Sequence, residues 1–357
     1  MDFTQLNMTY IEDAINNMEN KTVVFWGAGR RVRGFLQTYC IDKNYLPLPD
    51  FICDSTRDVP DTHIYNIPVL EFDQLKEMDS KNTAIIITAG LLDLQAQVIP
   101  NELYYFPIYH CRSFETYFYL KDNYQNYLMA VRLLNDEHSK HVYKSIFSNL
   151  LNGSLWCQSL FEPSPYFGND IVRKLDDTEH IILAGAFNGK HIDRAFANNS
   201  KITVCAFEPN SEWHKVLAER YKTVPNVRIH NKALWDKIDK LKFNDNMSNY
   251  GLDAHVCDVK SENYDFFVES IDLDSTIMEK VTLIALDVEG SEQRAIKGAT
   301  GIISRDRPKL AICLYHSIDD YIKIPMLVNQ MNLTVPYRLY VKQHSCVTAI
   351  ETVLYAI

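Results

Sequence analysis

Two strand–glycine turn–helix units, one opening at Thr22 and one at His180, and a closing pair of β-rich runs predict an α/β chain of two doubly wound, Rossmann-like domains. The first unit, KTVVFWGAGRRVRGFLQTYC, reads as a β-branched strand from Val23 to Trp26, a glycine turn, and a helix with Val32, Phe35 and Leu36 on one face. A second strand, Phe51 to Cys53, ends in Asp54, and the run Ala84 to Gly90 is a third. Strands that alternate with helices make a parallel sheet with helices on its faces. The second unit repeats the order. HIILAGAFNGKHIDRAF is followed by ITVCAFEPN, a strand ending in Glu208, and by strands in NVRIHNKALWD, VTLIALDVEG and PKLAICLYH. RLYVKQHS and ETVLYAI stand only a few residues apart and are expected to pair antiparallel.

At 357 residues the chain is too long for one typical domain, and a figure of about 150 residues per domain suggests two. The expected division is 1–111, a helical connector over 112–152, and 153–357. Seven tyrosines fall between Tyr104 and Tyr127. Leu128, Val131 and Leu134, then Val142, Ile146 and Leu150, recur at helical spacing, so the connector reads as two helices. Its tyrosines read as packing rather than as a platform for a ligand. The N-terminal MDFTQLNMTYIEDAINNMENK has neither a basic nor an apolar leader region and reads as a short acidic helix.

Lys plus Arg number 36 against 46 Asp plus Glu, a net charge of −10. That balance argues against nucleic acid and against an anionic membrane as partner. No apolar run approaches the ~18 residues of a membrane span. The eight cysteines are scattered without a CxxC pair, and read as reduced, buried thiols in a cytoplasmic protein. The composition is compatible with a homo-oligomer and does not require one.

The two glycine turns differ. In Gly27-Ala28-Gly29-Arg30-Arg31-Val32 the third glycine of a dinucleotide fingerprint is replaced by Val32, and Asp54 lies 27 residues past Gly27, beyond the ~20 expected of a ribose contact. Gly27, Gly29, Arg30 and Asp54 still form a candidate second nucleotide site, suited to a nucleotide-sugar or another phosphorylated ligand more than to NAD. Any βαβ unit needs such a turn, whether or not it binds anything. In Gly185-Ala186-Phe187-Asn188-Gly189 the glycines are four apart, which is not a phosphate-cradling spacing. It suits S-adenosylmethionine (SAM), which has no phosphate, with the Glu208 carboxylate accepting both ribose hydroxyl protons. Glycine turn plus strand-end acid does not by itself separate SAM from NAD.

GAFNG, AFEPN, NKALWD, LIALDVEGSEQRAIKGA, LAICLYHSIDDYIKIP and YVKQHSCVTAIETVLYAI, in that order, resemble an FkbM-type SAM-dependent methyltransferase over residues 160 to 357. The N-terminal half resembles the Rossmann-like domain sometimes fused ahead of such enzymes. The resemblance implies a class I methyltransferase fold with an antiparallel C-terminal strand pair, SAM as cofactor, and Pro209 and Ala233 beside that cofactor. Leu183 stands where the family usually has an acid that orients the methionyl end of SAM, which implies weaker cofactor binding or a degenerate enzyme, and Asn188, where an acid is frequent, is a second departure.

For methyl transfer the protein has to hold an acceptor in line with the sulfonium and remove its proton. Asp287 and Glu289 follow the fourth strand and His316 the fifth. Ligands of open α/β sheets bind outside the carboxyl ends of the strands, so these three are expected to share one crevice as catalytic groups, with His316 as base. Tyr315 and His344 are candidates for the acceptor side. Each also has a plainer reading: Asp287 as a helix cap, Glu289 as a first-turn acid, His316 as a loop histidine held by backbone. Two carboxylates and a histidine can hold a divalent metal, but nothing in the spacing fixes a coordination sphere, and a metal-free site is expected. The expected activity is O-methylation of a carbohydrate or small polyhydroxylated molecule. The alternatives are a nucleotide-sugar or NAD-dependent oxidoreductase, which lacks a Tyr-x-x-x-Lys pair near the first turn, and a non-catalytic nucleotide-binding module.

Overall fold

The computed structural model describes residues 6–54, 62–88, 103–153, 158–245, 254–257, 264–331, 333–346 and 350–357. The chain packs as two compact units, one of residues 1–124 and 144–156, the other of residues 125–143 and 157–357. The stretch expected as a connector is thus shared between them.

The first unit opens with α1 (Thr9–Met18), the expected N-terminal helix, and β1 (Thr22–Trp26). Then come α2 (Arg30–Phe35), running on as a π-helical stretch to Asp42, β2 (Phe51–Asp54), β3 (His63–Ile64), β4 (Ile67–Glu71), α3 (Phe72–Lys76), β5 (Thr83–Ile87) and β6 (Ile108–His110). The sheet order is β3-β4-β2-β1-β5-β6, with β3 antiparallel to β4 and all other pairs parallel. Val24, Trp26, Ile85 and Ile87 form its core with Cys53 and Leu75. The third expected strand ends at Ile87, and Ala89 and Gly90 lie outside the described residues. β3 and β4 were not foreseen. Their turn, Tyr65-Asn66, has both φ angles positive (52° and 64°) without the Asn-Gly that advertises such a hairpin, and Pro68 argues against a strand. The connector region forms α4 (Cys111–Leu133), kinked at Asn123, and α5 (Glu137–Leu151). Its aromatic residues pack into each unit's own core: Phe118 against Tyr39 and Tyr45, Tyr127 against Tyr143.

The second unit comprises β7 (His180–Ala184), α6 (Lys190–Asn198), β8 (Thr203–Phe207), α7 (Ser211–Tyr221), β9 (Val227–His230), β10 (Ala233–Leu234), β11 (Asp239–Asn244), β12 (His255–Val256), β13 (Phe266–Ile271), α8 (Leu273–Thr276), β14 (Leu283–Leu286), α9 (Glu292–Lys297), α10 (Thr300–Asp306), β15 (Lys309–Cys313), α11 (Ile318–Asn329), β16 (Leu339–Gln343) and β17 (Thr352–Ala356). A seven-stranded sheet runs β16-β17-β15-β14-β7-β8-β9, with β17 antiparallel to both neighbours, as expected for the C-terminal pair. Strand order reverses between β7 and β14, and a crevice forms at the carboxyl ends of strands at such a switch point. The expected single strand in NVRIHNKALWD is in fact two. β9 stays in the main sheet, while β10 joins a separate sheet, β10-β13-β11-β12, whose small core is Ala233, Leu241, Phe243 and Val268.

The seven described cysteines are free; Cys40, Cys53, Cys111, Cys205 and Cys313 are buried as expected, but Cys257 is half-buried and Cys346 exposed. No helix among the described residues is long and apolar enough to cross a membrane.

Candidate functional site

At the carboxyl end of β7 the chain turns through Gly185, whose φ is +78° and whose absent Cβ would lie 1.8 Å from the Asp287 carbonyl oxygen. Only glycine fits there, because the loops after β7 and β14 touch backbone to backbone. Asp287 N–H donates to the Ala184 carbonyl at 3.1 Å, extending that ladder. Gly189, at φ +85°, has a second reason to be glycine, since a Cβ would meet the Tyr221 hydroxyl at 2.7 Å.

Glu208 is buried at the end of β8 and accepts Phe187 N–H at 2.8 Å on one oxygen and Asn210 N–H at 2.9 Å on the other. Burial pushes its carboxyl up to about 7, against the pull of those two N–H groups and with Asp245 adding to the rise. Each oxygen keeps lone-pair capacity for a further donor, so the residue fits the ribose end of SAM while also fixing the glycine turn. Asn231 donates to the carbonyls of Glu208 and Pro209 at 2.9 and 3.0 Å, pinning this corner. Ala233, expected beside the cofactor, instead buries its methyl in the core of the four-stranded sheet. Asn188 closes its own turn, its side-chain oxygen accepting Lys190 N–H at 3.1 Å. Leu183 points into the main core, so the methionyl end of SAM finds no acid on that position.

Asp287, Glu289 and His316 come together, each offering a ligating atom within 4.8 Å of the others. His316 Nε2 lies 3.3 Å from Asp287 Oδ1 and 3.3 Å from Glu289 Oε2, and Nδ1 lies 2.9 Å from Glu292 Oε1. The two Nε2 approaches are charge contacts rather than aligned hydrogen bonds. Glu292, fully buried at the start of α9, accepts Val288 N–H at 2.8 Å and Gly290 N–H at 3.1 Å, and so holds the loop that carries Glu289. Burial pulls the His316 imidazole down, but Glu292, then Glu289 and Asp287, outweigh it and raise it to about 10. This bears on the role expected of His316: the carboxylates around it favour the protonated ring, and a protonated imidazole has no lone pair with which to act as base.

Tyr315 O–H donates to Asp287 Oδ1 and Tyr166 O–H to Oδ2, both at 2.9 Å, so Asp287 is held on both oxygens. It is not a helix cap. His344 is not on the acceptor side as a free group. Its Nδ1 sits 2.6 Å from the Glu162 carbonyl and its Nε2 2.8 Å from the Tyr355 hydroxyl, which in turn accepts Tyr166 N–H at 2.9 Å. His344 therefore braces Tyr166. Tyr166 and Glu292 were missed in sequence. Glu292 had a faint signal, an acid opening a helix just after Asp287-Val288-Glu289; Tyr166 had none, standing 121 residues from Asp287.

In the first unit, Gly27 has φ +119° and Asp54 Oδ2 accepts Ala28 N–H at 2.7 Å. A strand-end acid thus ties down a glycine turn there, as Glu208 does in the second unit. The Arg30 side chain lies outside the described residues.

A family model described as the methyltransferase FkbM domain matches residues 147–341. The crystal structure of methyltransferase FkbM from Methylobacillus flagellatus is similar over 100% of this chain and 96% of its own, with a TM-score of 0.66 at 18% identity. An rRNA methylase from Streptococcus thermophilus aligns with 51% of this chain and 87% of its own (TM-score 0.32, 14% identity). Fibrillarin from Aeropyrum pernix, solved with bound SAM, aligns with 53% and 70% (TM-score 0.33, 10% identity). No curated protein matches the chain.

Proposed function

The chain belongs to the FkbM family of SAM-dependent methyltransferases, and from that premise we propose that it methylates a hydroxyl of a carbohydrate or other small polyhydroxylated molecule at the Asp287–Glu289–His316 cluster. The second unit has the class I methyltransferase fold, with its antiparallel C-terminal strand pair. The observation that supports the reading is the contact of the Asp287 backbone with the glycine turn at Gly185, the turn we assign to the cofactor, together with the grouping of Asp287, Glu289 and His316.

The cofactor, when bound, supplies an electrophilic methyl group on a sulfonium. The chain's own residues hold, orient and deprotonate. Glu208 takes the ribose. Tyr166 and Tyr315 fix Asp287, so it would orient an acceptor hydroxyl bonded to it toward the methyl group. With His316 charged, the hydroxyl proton enters the cluster at a carboxylate, Asp287 or Glu289, and the imidazolium balances the charge. An oxidoreductase centred on the first unit no longer has to account for the chain's activity.

The test is methyl transfer from labelled SAM to a panel of sugars and polyols, with SAM binding measured by calorimetry. Asp287→Asn should cut turnover by ~10²–10⁴-fold while SAM affinity stays within a few-fold. Glu208→Ala should instead weaken SAM tenfold or more, as expected for two lost hydrogen bonds of ~0.5–1.5 kcal/mol each, and more once the carboxyl is ionised. Methylation confined to amines would overturn the acceptor class, and unchanged turnover in Asp287→Asn would remove the cluster from the chemistry.

A further inference from the structure

Asp287, Glu289 and His316 are more than a group of acids with a histidine nearby. The His316 side chain is only 7% exposed, yet its Nε2 makes no hydrogen bond. An imidazolium paired with one carboxylate would close to ~2.8 Å on the donor line. Here Nε2 stands 3.3 Å from an oxygen of each of two carboxylates. Neighbouring ligands of an octahedral ion with bonds of ~2.1 Å lie ~3.0 Å apart, so both approaches to Nε2 are within a few tenths of an ångström of that spacing, and all three donor atoms lie within 4.8 Å of one another.

The other nitrogen carries the second sign. Metal-ligating histidines usually present their remaining ring N–H to a carboxylate, which fixes the tautomer and raises ligand basicity. Glu292, fully buried, stands 2.9 Å from Nδ1 and keeps the proton on that side, turning the Nε2 lone pair toward Asp287 and Glu289. Asp287 is itself oriented by two tyrosine hydroxyls, and Glu289 by a turn at φ +51° whose next residue, Gly290, is at +92°. Exposure of the side chains rises from His316 through Asp287 to Glu289, at 7%, 20% and 34%, so the site opens to solvent on one side.

We infer that Asp287, Glu289 and His316 bind a divalent cation, with the open coordination positions facing the acceptor crevice. Two carboxylates neutralise the ion, and the mixture of oxygen with one imidazole nitrogen suits Mn2+ or Mg2+ better than a thiophilic metal. This deepens the methyl-transfer reading and rests on it, the cluster now centred on a metal ion in place of a proton. A hydroxyl oxygen bound there is acidified. Its O–H bond breaks with the proton passing to water, the O–CH3 bond forms as the S–CH3 bond breaks, and the sulfonium leaves as a neutral thioether.

The full chain, stripped with a chelator, is titrated with Mn2+ and free ion is followed by electron paramagnetic resonance, while SAM binding is measured in parallel by calorimetry. One Mn2+ per chain is expected. Glu289→Gln and His316→Gln should weaken it tenfold or more, and Glu292→Gln by ~10–100-fold through loss of the outer carboxylate. SAM affinity, unchanged within a few-fold, reports that each variant is folded. If the parent binds SAM but no Mn2+ at millimolar concentration, or if Glu289→Gln and His316→Gln bind Mn2+ like the parent, the cation site is overturned and methyl transfer stands. If the parent fails to bind SAM, it is the methyl-transfer reading that fails.

Discussion

Glu208 has little water around it and one backbone N–H on each of its oxygens. Burial wins over those bonds and lifts its carboxyl from the ordinary 4.5 to about 7. The folded chain therefore keeps a proton that the unfolded chain releases above about 4.5. The stability tied to this group is fully present below that pH and is lost as pH rises through about 7, a change on the order of 3 kcal/mol. Glu208→Gln cannot titrate. The parent should be the more favoured of the two at pH 5 and lose several degrees of melting temperature relative to the variant by pH 8. A difference that stays flat from pH 5 to 8 would mean that Glu208 is already ionised in the fold and well solvated.

At the scale of elements, the two glycine turns are each tied to a strand-end acid, but their glycines differ in what stands against them. Gly185→Ala would drive a Cβ into the Asp287 carbonyl oxygen at a backbone angle that side chains disfavour, and neither partner is a flexible side chain. A loss of about 3–5 kcal/mol is expected, with SAM binding lost as the loop shifts. Gly29 caps α2 at φ −71° with nothing within 4 Å of its Cβ. Gly29→Ala should stay within ~1 kcal/mol of the parent. Urea midpoints for the two variants check the contrast, and equal midpoints would refute it. The same contrast marks what could be read beforehand. β1, β7, β8, β14 and β15 are buried on both faces and announce themselves as apolar runs. β11 and β13 bury only half of their side chains, and β10 is two residues cut from a longer run, so they gave no such signal. Asp287, Glu289 and His316 were legible because they follow neighbouring parallel strands, β14 and β15, whose carboxyl ends lie side by side. The brace behind them, from Glu162 through His344 and Tyr355 to Tyr166, joins segments far apart in sequence and becomes visible only in the fold.

For the whole molecule, the division of the chain decides which piece can stand alone. Residues 125–143 precede the sheet of the second unit by some forty positions, yet they pack with it. Buried Tyr143 donates its hydroxyl to the Tyr321 carbonyl at 2.6 Å, buried Ser139 accepts Val341 N–H at 3.0 Å, and Asn135 N–H donates to the Leu339 carbonyl at 2.7 Å. A fragment starting at residue 153 contains every residue proposed for cofactor and acceptor but loses those three hydrogen bonds. Each such loss costs ~1–3 kcal/mol where the group stays buried, against a total stability of ~5–15 kcal/mol for a domain. Fragment 125–357 should bind SAM within a few-fold of the full chain. Fragment 153–357 should melt well below it and bind SAM only where it remains folded. Circular dichroism melts and calorimetry on the two fragments check this. Equal melting temperatures would show that residues 125–143 are dispensable to the second unit. Failure of the longer fragment to bind SAM would mean that the cofactor site draws on residues 1–124 as well.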